Sequence, residues 1–171
     1  MTLTEERKKE LEDIYQSFLH NEKIERMKNI PMHRGSNCYI HSFRVAKLAI
    51  KRALRHKDVN LTVVLLGSIL HDYYLYDWRE ERDKMKSHVR SHPHVAAENA
   101  VRDFDIPKSV KKVIETHMWP FNFKEFPNST EARIISLADK SIYFREIVSF
   151  SRFKKRHCEK YYHKISKLFE N

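Results

Sequence analysis

Apolar positions recur every three or four residues along most of this chain, the period of a helix rather than of a strand. Leu11, Ile14, Tyr15, Phe18, Ile24 and Met27 keep that spacing from Glu5 to Lys28, and Ile30-Pro31 stops it. The stretch 1–30 therefore reads as a packing helix without chemistry. Tyr39, Phe43, Ala46, Ile50 and Ala53 form a second stripe, capped by Ser36 or Asn37, with His41 on its edge beside Val45 and Leu48. From Leu61 to Leu70 the chain is apolar almost all round, as in a helix buried at the middle of a domain. No turn residue interrupts it between Asn60 and Tyr76, so a helix outweighs a strand.

Ser91-His92-Pro93 opens a further helix with proline in its first turn, followed by the small residues Ala96 and Ala100. Pro107 opens another, in which Val110, Val113, Ile114 and His117 fall on one stripe and Trp119-Pro120 is the stop. Ser129 or Thr130 caps the next, where Ile135, Asp139 and Ile142 share a face. Residues 151–171 read as a basic amphipathic helix that docks on the domain, with nucleic acid or a second copy as other uses of it. Residues 79–86 are a charged loop over the mouth of a site, and 121–128 an aromatic loop able to wall a pocket.

With two glycines and five prolines in 171 residues there is little material for tight turns, and the fold class expected is all-α, one domain over 1–171. No apolar run approaches a membrane span, and the first residues lack a signal peptide's apolar core, so a cytoplasmic protein is expected. Cys38 and Cys158 are far apart and outside any CxxC spacing, which predicts reduced thiols. The net charge of +10 favours anionic partners: phosphorylated metabolites, nucleotides or, less favoured, nucleic acid.

Candidate chemistry starts at His71-Asp72, where the central helix ends. Adjacent helical positions splay by about 100°, so the two side chains can grip one centre. A carboxylate buried there needs a cation, since a buried unpaired charge costs on the order of several kcal/mol. Arginine is one answer. The inward positions of His41, His92, His117 and Asp139 point instead to a divalent metal. Each residue has an ordinary alternative alone, a core histidine bonded to backbone or an aspartate paired with arginine.

On these residues the chain resembles the HD-domain superfamily of metal-dependent phosphohydrolases, all-α proteins whose metal is held by a histidine, a His-Asp pair and a later aspartate. His41 in His-Ser-Phe-Arg-Val-Ala, His71-Asp72 in Leu-His-Asp and Asp139 in Leu-Ala-Asp-Lys match those positions. His92 in His-Pro-His-Val-Ala-Ala and His117 in Ile-Glu-Thr-His match the two histidines added in the dinuclear branch, and the motif ranks His92 above its neighbours His94 and His88. The resemblance spans 35–146. It departs from the (p)ppGpp-hydrolase and deoxynucleotidase branches, because Tyr73-Tyr74-Leu75-Tyr76 stands where they carry acidic residues.

The resemblance implies hydrolysis of a phosphoester or phosphoanhydride in a nucleotide or other small phosphorylated metabolite, with two Mn, Fe, Co or Zn ions. His41, His71, Asp72 and Asp139 would hold one ion, His92 and His117 the other, and Asp72 would bridge them, His71 and Asp72 being the catalytic pair. Arg34, Lys140, His33 and His88 are candidates for gripping phosphate, and Tyr73, Tyr74, Trp119, Phe121 and Phe123 for stacking on a ring. The same ligand set serves some di-iron oxygenases, and a non-catalytic nucleic-acid or ligand-binding module is a further alternative. A homodimer is compatible with the sequence.

Overall fold

A computed structural model describes residues 3–32, 36–78, 85–148 and 165–169. Seven α-helices build the described part: α1 (Glu5–Leu19), α2 (Glu22–Glu25), α3 (Cys38–Ala53), α4 (Leu61–Leu70), α5 (Met85–Phe104), α6 (Lys108–Glu115) and α7 (Thr130–Val148). No strand occurs among the described residues, so the all-α expectation holds. None of the described helices is long and apolar enough to cross a membrane.

Short polar side chains set the helix starts. Thr4, Asn37, Asn60 and Ser129 accept from the backbone N–H of Arg7, Ile40, Val63 and Ala132, each using an oxygen to satisfy an orphan donor of a first turn. Asn37 and Ser129 are thus the caps chosen from the pairs the sequence offered. The single helix expected from Glu5 to Lys28 is broken. Asn21 Oδ1 accepts from Lys23 N and Ile24 N, which starts a new short helix, and a 3-10 turn over Arg26–Asn29 follows. Ile24 and Met27 remain fully buried, so the apolar period survived the break that the cap introduced.

The central helix is α4, packed on α1, α3, α5, α6 and α7. Gly67 makes this possible. A Cβ there would stand 2.5 Å from Val113 Cγ2 and 2.9 Å from Ile135 Cδ1, so α4, α6 and α7 meet where a side chain is missing.

Two further expectations are corrected. Pro93 lies inside α5, not in its first turn, although an interior proline removes a backbone bond and costs about 3 kcal/mol. The described end of the C-terminal segment, 165–169, holds a 3-10 turn (Ser166–Leu168) rather than α-helix. It does dock on the domain: Ile165 and Phe169 are buried, and Glu12 Oε2 accepts from Ile165 N and Ser166 N at 3.1 and 2.6 Å. Residues 151–164 and 79–84, where the basic helix and most of the charged loop were expected, lie outside the described residues.

Candidate metal centre

Five helices deliver six side chains to one point. His41 comes from the start of α3, His71 caps the C-terminus of α4 with Asp72 next to it, and His92 sits mid-way along α5. His117 follows α6 in a turn, because α6 stops at Glu115, and Asp139 is central in α7. All six are buried. The turn carrying Asp72 is held by Asn99, whose side-chain amide donates to the carbonyls of Tyr73 and Tyr74 at 3.1 and 3.2 Å.

Each imidazole is oriented by its outer nitrogen. Nδ1 of His71, His92 and His117 lies 2.8, 2.8 and 2.7 Å from the carbonyls of Ser68, His88 and Ile114. A carbonyl only accepts, so those nitrogens carry a hydrogen and Nε2 is turned inward to the cluster. His41 is held instead by a carboxylate: its Nδ1 lies 2.9 Å from Glu146 Oε2, and Arg44 Nη1 donates to the other oxygen of Glu146 at 2.8 Å.

Asp72 divides the centre in two. Its Oδ2 lies 3.3 Å from His71 Nε2 and 3.9 Å from His41 Nε2, while its Oδ1 lies 3.4 Å from His92 Nε2 and 3.7 Å from His117 Nε2. Asp139 Oδ1 completes the first half, 3.0 Å from His41 Nε2 and 3.7 Å from His71 Nε2. Atoms about 2.1 Å from a shared ion and at right angles around it lie about 3.0 Å apart, so these separations suit ligands that surround a cation. Ligand atoms of three groups fall within 4.8 Å of one another: His41, His71 and Asp72; His71, His117 and Asp139; Asp72, His92 and His117.

Two details make a cation fit. His71 Nε2 is fully buried and has no hydrogen-bond partner, although carboxylate oxygens face it. His92 and His117 point their Nε2 atoms at each other over 3.1 Å, and with both hydrogens on Nδ1 that sets lone pair against lone pair. Imidazole and carboxylate donors without a thiolate suit Mn, Fe, Co or Zn. Cys38, a buried free thiol, is turned to Tyr74 Oη at 3.1 Å instead.

The charges of the cluster respond accordingly. Burial opposes a proton on His41, but bonds to Asp139 and Glu146 overcome it and raise the pKa to about 9. Burial likewise opposes protonation of His71, and the charges of the Asp72 and Asp139 carboxylates that face it raise its pKa to about 10. Burial opposes the charges of Asp72 and Asp139 too, yet the histidines hold both well below the usual carboxylate range. His117 is pushed well down by burial and by the charges of His71 and His92.

The remaining predicted residues fare differently. Lys140 Nζ donates to the His117 carbonyl at 2.6 Å and lies 3.2 Å from Asp139 Oδ2, so it braces two cluster residues. Burial lowers its pKa against the pull of Asp139. His88 stacks between Trp78 and His92, with Nδ1 2.9 Å from Tyr76 Oη, and burial together with the His92 charge lowers it to about 4. His33 and Arg34 lie outside the described residues. The side chain of His94 is 44 % exposed and faces Glu115 and Glu125.

Tyr73 and Tyr74 are buried, their hydroxyls taken by Asp103 and by Cys38 and Met32, so they are wall rather than stacking surface. Trp119 packs on Phe126, whereas Phe121 and Phe123 stand exposed. The sequence reasoning missed Glu146, Arg44 and Asn99. A signal existed for the first two: Glu146 is two turns beyond Asp139 on the same face of α7, and Arg44 one turn beyond His41.

Compared with protein families, residues 38–142 match the family described as HD domain, a span containing all six cluster residues. Compared with curated proteins and with solved structures, the chain has no match.

Proposed function

Since the chain belongs to the HD-domain family, whose members are metal-dependent hydrolases, we propose that it is a two-metal phosphohydrolase acting on a phosphoester or phosphoanhydride of a nucleotide or other small phosphorylated metabolite. The observation that carries this is the splayed carboxylate of Asp72, with one oxygen toward His41 and His71 and the other toward His92 and His117. His41, His71, Asp72 and Asp139 would hold one divalent ion, and His92, His117 and Asp72 the second. Bound metals supply a hydroxide from water at neutral pH and neutralise phosphate oxygens.

The protein's own residues do the rest. The four outer Nδ1 bonds hold the imidazoles so that no ring must turn when the centre fills. Lys140 sits beside Asp139 and fixes the backbone of His117. The buried ring of Tyr74, against His92, keeps water from one side, and the +10 chain attracts anionic substrates.

The experiment is to load the protein with Mn²⁺ or Fe²⁺ under nitrogen and follow phosphate release from nucleotides, dinucleotides and sugar phosphates, with Asp72→Asn as control. Release that disappears in the variant supports the reading. A protein that holds two ions and releases phosphate from no compound, while consuming oxygen with iron, would replace hydrolysis by oxygenase chemistry.

A further inference from the structure

Besides Val101, the large apolar side chains that stand exposed among the described residues gather on α7 and the loop before it. On α7 these are Leu137, Phe144 and Val148, at 58, 56 and 76 % exposure. Spaced by seven and four residues, they form one stripe about 16 Å long. Asp139 and Glu146, which face the metal centre, are on the opposite side of the helix. Phe121 and Phe126 widen the patch: Lys140 Nζ lies 5.9 Å from the centre of the Phe121 ring, and the Arg133 guanidinium 5.9 Å from that of Phe126. An exposed apolar stripe of this kind marks an interaction site.

One edge of the stripe is cationic. Arg52 Nη2 donates to Ser141 Oγ at 2.8 Å, which brings the end of α3 against α7; Arg145 is one turn along α7 from that serine, and Arg55 one turn along from Arg52. Arg52 Nη1 is buried without a hydrogen-bond partner, and burial followed by the charges of Arg145 and Arg55 depresses the Arg52 pKa. The acids of α7 are Glu131, Asp139 and Glu146, and each is engaged elsewhere. Glu131 accepts from Asn60 N, Asp139 faces His41 and Lys140, and Glu146 is held by His41 and Arg44.

An apolar helical stripe bordered by guanidinium groups is complementary to a helix with leucine-like residues on one face and carboxylates beside them. We propose that the outer face of α7 is the docking surface for an acidic amphipathic helix of a partner protein. A second copy fits it less well, because it brings the same +10 charge with it. Nucleic acid would meet the arginines and leave Leu137, Phe144 and Val148 uncovered. This inference is independent of the reaction at the metal centre.

The test is selection of random displayed peptides on the wild-type protein, followed by fluorescence binding to the Phe144→Ser and Arg145→Glu variants. Both substitutions are at exposed positions, and circular dichroism checks that the variants fold. Enriched peptides should carry acids beside apolar residues at helical spacing, and each variant should weaken them at least about tenfold. Peptides that lack this pattern, that bind the variants as well as wild type, or that are not enriched at all would overturn the proposal. So would phosphatidylserine vesicles bound in place of peptide, or a sedimenting dimer that Phe144→Ser splits.

Discussion

Glu146 Oε2 and His41 Nδ1 stand 2.9 Å apart, a contact between residues 105 positions apart in the chain. It is the one outer bond to a cluster imidazole made by a carboxylate; the other three go to backbone carbonyls. A negative charge there raises the basicity of His41 as a ligand and fixes its ring. Glu146→Gln keeps an acceptor but removes the charge, and is expected to weaken metal binding about 10- to 100-fold. Titration of the metal-free variant against a chelator of known affinity measures it. Affinity equal to wild type would show that His41 needs no charged partner.

Asp72 serves both halves of the centre, so its loss should differ in kind from loss of a residue on one half. Asp72→Asn is expected to lose tight binding of both ions, and His117→Ala that of one. Metal stoichiometry after dialysis distinguishes the two. Two ions retained by Asp72→Asn would remove the carboxylate from its bridging role.

Protons and metal compete for the same Nε2 atoms. With pKa values raised from 6.5 to about 9 and about 10, His41 and His71 are protonated at pH 7 in the metal-free protein. Metal binding should therefore release protons at pH 7 and tighten as pH rises toward 10. Isothermal titration in buffers of different ionisation enthalpy counts them. Binding with no proton uptake by the buffer would contradict the raised values.

The same groups set the pH dependence of metal-free stability. A raised histidine pKa gives stability that is complete below 6.5 and is lost as pH climbs through about 9 and about 10. Asp72 and Asp139, held below 3.8, give stability present above that value and lost in acid. Metal-free thermal melts should thus fall between pH 6.5 and 10, and the metal-loaded protein should lose less. A midpoint that rises with pH over that window in the metal-free protein would reverse the assignment.

At the meeting of α4, α6 and α7, Gly67→Ala must displace Val113 and Ile135. Overpacking of this sort costs about 1–3 kcal/mol. Urea unfolding measures it, and a variant as stable as wild type would mean that the three helices approach less closely at Gly67.

Much of this molecule was legible one helix at a time. The all-round apolar run 61–70 is buried as α4, and His41, His71, Asp72, His92, His117 and Asp139 come together because each lies on, or just past the end of, a helix whose core-facing side meets the same point. Periodicity is a local property, and it records which side of a helix water avoids. Boundaries were less secure. Asn21 could have been a surface residue within one long helix, and Pro93 obeys the rule for first turns but sits inside α5.

What only the tertiary structure decided is which atom faces which. That Asp72 turns its two oxygens to different histidine pairs, that Glu146 rather than a carbonyl holds His41, and that His88 stacks on Trp78 depend on helices distant in sequence. Lys140, expected from sequence as a candidate grip on phosphate, donates to the His117 carbonyl and lies beside Asp139. A sequence by itself determines the period and the chemical kind of each side chain. Its partners are chosen by packing, where small differences in burial and charge between competing contacts select one arrangement.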